Sequence, residues 1–437
     1  MIDFLQGDVF DNIKKLDDNS IDCVVTSPPY WGLRDYGTAS YEGGDFNCKH
    51  TITDEIVDNK NNKLIERPDR DSDKKNCVKC GAKRIDKQLG LEPTYQEHIQ
   101  NIVELFRAMK PKLKDSATIW LNYGDSYAAT VNGTKVKDMK KNLQKNRTSK
   151  IKGVYDDRGF VDKPFSTIQG SLKPKDLVMI PNRIAIALQD DGWWIRSEII
   201  WHKPNPMPES TKDRPTSAHE KIWLITKSKK YYYDADAIRE PVAQGTITRL
   251  SEKNLKNQKG STRGNGGMRS NGNMKPVGNM ETKNKRNVWT VTTKPCKEAH
   301  FATFPKDLIE PCIKAGCPEK VCVKCGTPYL RNFKTITTPK RETRNNMVNV
   351  IPGRDKPTRM NSKNMESLIK EDLGFKKNCN CETDKFKSGL VFDPFGGSGT
   401  TAIVAKLLNR KSIMSELNPE YIKIAKSRIS KEFGLFE

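Results

Sequence analysis

The sequence predicts an α/β chain, with a mainly parallel twisted sheet, helices on both faces, and polar insertions between its elements. Three stretches predict it. From Gly389, "GLVFDPFGGSGT" reads as a strand and glycine-rich turn and "TAIVAKLLNR" as a helix. "KSIMSEL" follows as a strand, and "NPEYIKIAKSRI" as a helix opened by Asn418 and Pro419. Residues 1–30 show the same alternation as "IDFLQGD", "VFDNIKKL" and "IDCVVTS", and residues 176–226 return to it. Strands alternating with helices build a parallel sheet with crossovers on both sides.

Taken in chain order, Asp8 closes the first strand, and "IDCVVTS" is a buried strand that stops at Pro28 and Pro29. Residues 31–90 are polar and read as an insertion. Between Tyr95 and Met109, the residues Ile99, Ile102, Val103, Leu105 and Phe106 recur at helical spacing, and "ATIWLNYGD" follows as a strand. After Pro181 comes an amphipathic helix, then the strands "WIRSEIIWHK" and "KIWLITKS". Residues 245–287 hold ten basic and two acidic residues among Asn and Gly, a composition expected to form a loop or to order only on binding. Residues 301–316 are helical in pattern, and 318–388 is a second polar insertion. The expected organisation is therefore an N-terminal segment at 1–47, insertions at 48–90 and 318–388, and core at 91–240 with a basic loop at 131–170. A basic region at 241–295, a helical segment at 296–317 and a βαβα end at 389–437 complete it.

Composition narrows the function classes. The 437 residues are 35% hydrophobic and 30% charged, and 77 Lys and Arg against 54 Asp and Glu leave a net charge of +23. Such an excess points to a polyanionic partner, nucleic acid first. "MIDFLQGDVF" has no basic segment followed by an apolar one, and no apolar run approaches the ~18 residues of a membrane span, so a cytoplasmic protein with no membrane partner is expected. Eleven cysteines in that setting point to metal or free thiols rather than disulfides.

In "FDPFGGSGTT", Asp393 stands at a strand's carboxyl end, with Gly396, Gly397 and Gly399 before a helix. Glycines allow close backbone approach, and the helix start offers free N–H groups to an anionic ligand group. After the next strand, Glu416 is placed to accept hydrogen bonds from a ribose diol. The dinucleotide fingerprint G-x-G-x-x-G is absent.

"TSPPYWG" together with "VFDPFGGSGTT" resembles the β group of S-adenosylmethionine-dependent DNA amino-methyltransferases, of the phage and restriction-modification type. "TIWLNYGDSYA", "IIWHKPNPMPES", "DRPTSAHEKIWLITKS" and "HFATFPKDLIEPCI" add to the match. The resemblance implies a Rossmann-like methyltransferase fold with permuted motif order, the catalytic motif first and the cofactor motif last. It implies that Ser27, Pro28, Pro29 and Tyr30 are catalytic. Ser27 Oγ and the Pro28 carbonyl would hold an exocyclic amino group, with proline fixing φ and removing a competing donor. Tyr30 would stack on a flipped-out base. For the cofactor it implies Asp8, Thr26, Phe301, Thr303, Phe304, Asp393, Pro394, Phe395, Gly396, Gly397, Ser398, Gly399, Thr400 and Glu416. Asp8 reads equally as a strand-end cap, and Cys23 as core. Serine at the first motif position favours cytosine N4 over adenine N6.

Cys48-x-His50 and Cys77-x2-Cys80 enclose 26 residues, and Cys322-x2-Cys325 and Cys379-x-Cys381 enclose 53. Each set offers the four soft ligands of a structural zinc site, so up to two zinc ions are expected. Cys296, Cys312 and Cys317 read as packing residues, with Cys317 a competing ligand for the second metal.

Double-stranded DNA is the expected partner. Residues 131–153 hold eight Lys or Arg and one Asp and, with 245–287, suit phosphate contacts. Arg263 and Arg269 are candidates for base edges, while Trp31, Arg34 and Tyr36 line the base pocket or pack its wall. A zinc-bearing DNA-binding protein with a silent catalytic core is the alternative from another class. A homodimer, a companion restriction endonuclease and the recognition sequence stay open.

Overall fold

The computed structural model describes residues 2–36, 38–48, 54–58, 63–67, 76–77, 79–86, 88–129, 161–162, 166–251, 282–294, 304–337 and 368–434. The chain divides into two compact units.

The larger unit, residues 1–233, 287–319 and 388–437, holds an eight-stranded sheet. Its strands are β1 (Ile2–Gln6), β2 (Ile21–Thr26), β3 (Leu113–Tyr123), β4 (Trp194–His202), β5 (His219–Thr226), β6 (Val288–Thr290), β7 (Leu390–Asp393) and β8 (Lys411–Glu416). They lie in the order β1-β8-β7-β2-β3-β5-β4-β6. Only β5 runs antiparallel to its neighbours. All six residues of β2 are buried, as a central strand covered on both faces requires.

Helices α1 (Val9–Lys14), α2 (Tyr95–Met109) and α3 (Ile180–Asp190) pack together over the main apolar cluster, which includes Ile13, Ile102, Phe106, Met109 and Ile184. Trp193 meets Phe106 edge-on at 5.5 Å. Helices α4 (Lys306–Gly316), α5 (Thr400–Leu407) and α6 (Pro419–Phe433) form a second group, with α4 against β2 and β3. Thr94 caps α2 by accepting from Glu97 N at 3.2 Å, and Asn418 caps α6 by accepting from Glu420 N at 2.9 Å. No helix among the described residues is long and apolar enough to cross a membrane.

The smaller unit joins residues 234–286 with 320–387, so the second insertion and the basic segment share one body. Its longest pairing is the antiparallel ribbon Leu330–Thr337 with Leu368–Lys376. Arg331 holds Asp234 at 2.9 Å and Asp372 at 2.6 Å. The basic stretch read as a loop begins here as a helix, Gln244–Ser251, whose first turn closes through Thr246 N and Ile247 N on Ala243 O. Local backbone bonding thus outweighs a composition that offers little core.

Candidate active site

The two motifs meet because β2 and β7 are neighbours. The chain leaves β2 for β3 on one side and leaves β7 for β8 on the other. This is a topological switch point, where strand ends open a crevice. Pro28 and Pro29 lack N–H groups, so the ladder ends at Thr26 and the chain turns into that crevice. Thr26 Oγ1 donates to Asp393 Oδ1 at 2.7 Å, Phe395 N donates to the same oxygen at 3.0 Å, and Thr401 Oγ1 donates to Oδ2 at 2.6 Å. Burial pushes the Asp393 carboxyl up to about 6, against the pull of these donors. Asp393 therefore latches the two strand ends together, and Thr26 spends its hydroxyl on the latch.

A cavity of about 560 Å³ opens above it. One wall carries Ser27, Pro28, Pro29 and Tyr30; the other carries Asp8, Asp393 to Ser398, Thr400, Glu416 and Phe304. Glu416 accepts from Gly397 N and Asn418 N, each at 2.8 Å, while burial pushes its carboxyl up to about 7. Gly399 begins α5 at φ +77°, and a Cβ there would lie 2.8 Å from Ala425 Cβ, so neither its backbone angle nor its packing admits a side chain. Asp8 caps α1 through Phe10 N at 2.9 Å and also lines the cavity.

The Ser27 wall is a polar network. Ser27 Oγ donates to Tyr30 OH at 3.2 Å, and Tyr30 OH donates to Glu220 Oε2 at 2.8 Å. Asn122 Nδ2 donates to that carboxylate oxygen at 2.9 Å and to Tyr30 OH at 3.0 Å. Lys203 pairs with Glu220 Oε1. Asn122 Oδ1 is buried and has no partner among the described residues. Sequence reasoning missed Asn122, Lys203 and Glu220, although "TIWLNYGD", "WHKPNP" and "HEKIWL" each hold one of them.

Behind this wall, Tyr30 stacks on Tyr123 with centroids 4.5 Å apart and planes at 27°. Tyr123 OH accepts from Trp31 N at 2.8 Å and lies 2.7 Å from His98 Nε2, and His98 Nδ1 lies 2.8 Å from Glu92 Oε2. Burial would raise the Glu92 carboxyl, but the His98 ring and Asn101 hold it below its usual range. Trp31 is 1% exposed and donates its ring N–H to Glu92 O at 2.9 Å, so it packs behind the cavity. Tyr36 lines the cavity edge-on to Tyr421.

A family model described as DNA methylase matches residues 21–324 and 326–427. The type II methyltransferase M.Cfr9I of Citrobacter freundii is 32% identical over 427 residues, 98% of this chain and 87% of that protein. The chain belongs to the DNA amino-methyltransferase family. The type II methyltransferases M.XycI of Xanthomonas campestris pv. cyanopsidis and M.SmaI of Serratia marcescens are 32% and 31% identical, each over 97% of this chain and over 86% and 89% of their own lengths. This methyltransferase is S-adenosylmethionine-dependent, and its cavity fits that cofactor in kind: a buried acid, a glycine turn and a helix start converge on one side.

Among the described residues, two cysteine clusters contribute nothing to the lining of the methyltransferase cavity. In the smaller unit, Cys322, Cys325, Cys379 and Cys381 bring their sulfurs within 4.8 Å of one another; in the larger unit, Cys48, Cys77 and Cys80 do the same. A tetrahedral zinc with bonds of about 2.3 Å spaces its sulfurs about 3.8 Å apart, and Cys48 Sγ lies 3.9 Å from Cys77 Sγ. The two turns share one backbone pattern. Gly81 N donates to Cys77 O at 2.8 Å and Gly326 N to Cys322 O at 2.9 Å, while Cys77 N and Cys322 N donate to Ala82 O and Thr327 O. Cys312 and Cys317 are buried in the larger unit and belong to neither cluster. His50, Arg263, Arg269, Phe301, Thr303 and the side chain of Arg34 lie outside the described residues, as does most of the basic stretch at 131–170.

Proposed function

We propose that this methyltransferase transfers a methyl group to the exocyclic amino nitrogen of a base flipped out of double-stranded DNA, with cytosine N4 as the target. The observation that carries the reading is the commitment of the Ser27 proton to Tyr30. It leaves lone pairs of Ser27 Oγ as acceptors, beside the cofactor wall of the same cavity. Ser27 Oγ and Pro28 O then hold the two amino hydrogens. Holding the hydrogens turns the nitrogen lone pair out of conjugation with the ring and toward the methyl donor. S-adenosylmethionine supplies an electrophilic methyl group on a sulfonium. Gly396, Gly397 and Ser398 would receive its amino-acid end and Glu416 its ribose, and Asp8, which lines the same cavity with Tyr36 and Tyr421, would lie near its adenine.

Nucleoside mass spectrometry tests the reading. Purified protein, S-adenosylmethionine and unmethylated genomic DNA should yield N4-methylcytosine. N6-methyladenine would keep the chemistry and move the target to adenine, and no methylated nucleoside would overturn the reading.

The cofactor role of Glu416 has a pH signature. A ribose hydroxyl donates best to the ionised carboxylate, so binding favours the deprotonated form. Affinity for S-adenosylmethionine should therefore rise as pH increases through about 7 and then level off. Titration calorimetry from acid to alkaline pH would show this step, and Glu416→Gln should flatten it. A wild-type curve without a step would remove Glu416 from the ribose site.

We propose further that each cysteine cluster holds a structural zinc, with His50 as the fourth ligand of the first. Four protein ligands leave no position for a reactive water. A companion restriction endonuclease is proposed from the type II names of the relatives, and a homodimer from the resemblance to the β group alone.

A further inference from the structure

Hydrogen bonds on the Ser27 wall run in one direction, from Ser27 to Tyr30 to Glu220. We propose that Glu220 is the terminal proton acceptor of methyl transfer, reached from Ser27 through Tyr30, and that it holds Ser27 in its accepting orientation beforehand. The proposal rests on reading the cavity as an amino-methylation site.

The step balances as follows. A nitrogen–methyl bond forms as the donor's carbon–sulfur bond breaks, with that bond's electron pair leaving on sulfur. The amino nitrogen then carries a positive charge and two hydrogens, and must lose one. That proton passes to Ser27 Oγ, the Ser27 proton to Tyr30 OH, and the Tyr30 proton to Glu220 Oε2. Both hydroxyls end neutral and the carboxyl ends protonated. The Glu220 side chain is 16% exposed, which opens it to exchange with solvent.

Three observations support Glu220 over the other carboxylates of the cavity. Asp393 bonds to Thr26, Thr401 and Phe395, Glu416 to two backbone N–H groups and Asp8 to the start of α1, whereas Glu220, which also holds Lys203 and Asn122, bonds to Tyr30. Glu220 alone among them is bonded to the Ser27–Tyr30 segment. Burial, and then the Glu220 charge, hold the Tyr30 phenol well above 10, so Tyr30 passes a proton on rather than giving one up. The residue that follows β3 also yields space for the pair. A Cβ at Gly124 would lie 2.7 Å from Tyr30 Cε2 and 3.3 Å from Glu220 Cδ. Gly124→Ala should therefore slow methylation by pushing these groups apart while cofactor affinity holds; a full rate in that variant would show the spacing to be unnecessary.

The relay is tested by single-turnover methyl transfer on a DNA substrate, with calorimetric Kd values for S-adenosylmethionine and DNA measured alongside. Glu220→Gln should slow transfer by ~100-fold or more, with both Kd values within about threefold. Tyr30→Phe should slow it comparably, and the double variant should be no slower than the slower single, because both break one chain. Glu220→Asp, which keeps the carboxylate, should recover about tenfold of the loss. A wild-type rate in Glu220→Gln, additive losses in the double variant, or no recovery in Glu220→Asp overturns the relay alone. No transfer by the unaltered protein overturns the methylation reading and the relay with it.

Discussion

Ser27→Ala should reduce the rate of methyl transfer by at least ~10²-fold, the scale on which loss of one preorganised polar group at a reacting centre is felt. Affinity for S-adenosylmethionine should stay within about twofold. The two effects separate because the cavity has two walls of different origin. Ser27 belongs to the segment after β2 and bonds to Tyr30, whereas the glycine turn follows β7, Glu416 ends β8, and these two bond to one another. Removing Oγ takes away an acceptor for the amino group and the start of the Tyr30–Glu220 chain, but touches nothing on the cofactor wall. Single-turnover assays with isotopically labelled donor, beside calorimetry, would measure both. An unchanged rate in the alanine variant would take Ser27 out of the chemistry, and a collapsed cofactor affinity would mean that the walls are not independent.

Cys322→Ser should lower bound zinc by one equivalent and unfold the smaller unit at a markedly lower temperature. Among the described residues of that unit, only Ile238, Val321, Cys322 and Tyr329 are buried and apolar. Four such groups bury too little surface to offset the entropy of ordering the chain. A structural zinc contributes on the order of 10 kcal/mol or more in small domains and so supplies what the core lacks. Elemental analysis with scanning calorimetry should show the lost equivalent and an early transition belonging to this unit. The Cys77 cluster, with its own ligands, should keep its metal. Unchanged zinc content in Cys322→Ser would exclude the site.

Much of this was legible from residues alone. Strand ends announced themselves through Pro28, Pro29 and the glycines after Asp393, since those residue types break a ladder or free a backbone wherever they fall. The cysteine pairs were legible because four sulfurs in polar chain have few other uses. The Tyr30 partners were not. Glu220 and Asn122 meet because β5 runs antiparallel to β3, with Lys221 opposite Tyr123, and no local pattern encodes that register. Nor did the sequence show that Asp393, besides lining the cavity, bonds to Thr26 and Thr401, because a buried acid chooses partners by packing. Trp31 was ambiguous for the same reason, and it is the ring N–H bond to Glu92 O that shows why the ring turns inward.

The Thr26–Asp393 latch joins residues 367 positions apart. On a ribosome adding about 5–20 residues each second, β2 must therefore wait roughly 20 to 70 s for the strand that completes its edge. During that interval a strand that ends fully buried stands without one neighbour and the cavity has no second wall. Such late, distant parallel pairing is slow to form and prone to intermolecular association. The methyltransferase is thus born inactive and becomes competent only after nearly the whole chain has emerged, so its yield should depend on chaperone supply more steeply than its size alone would suggest.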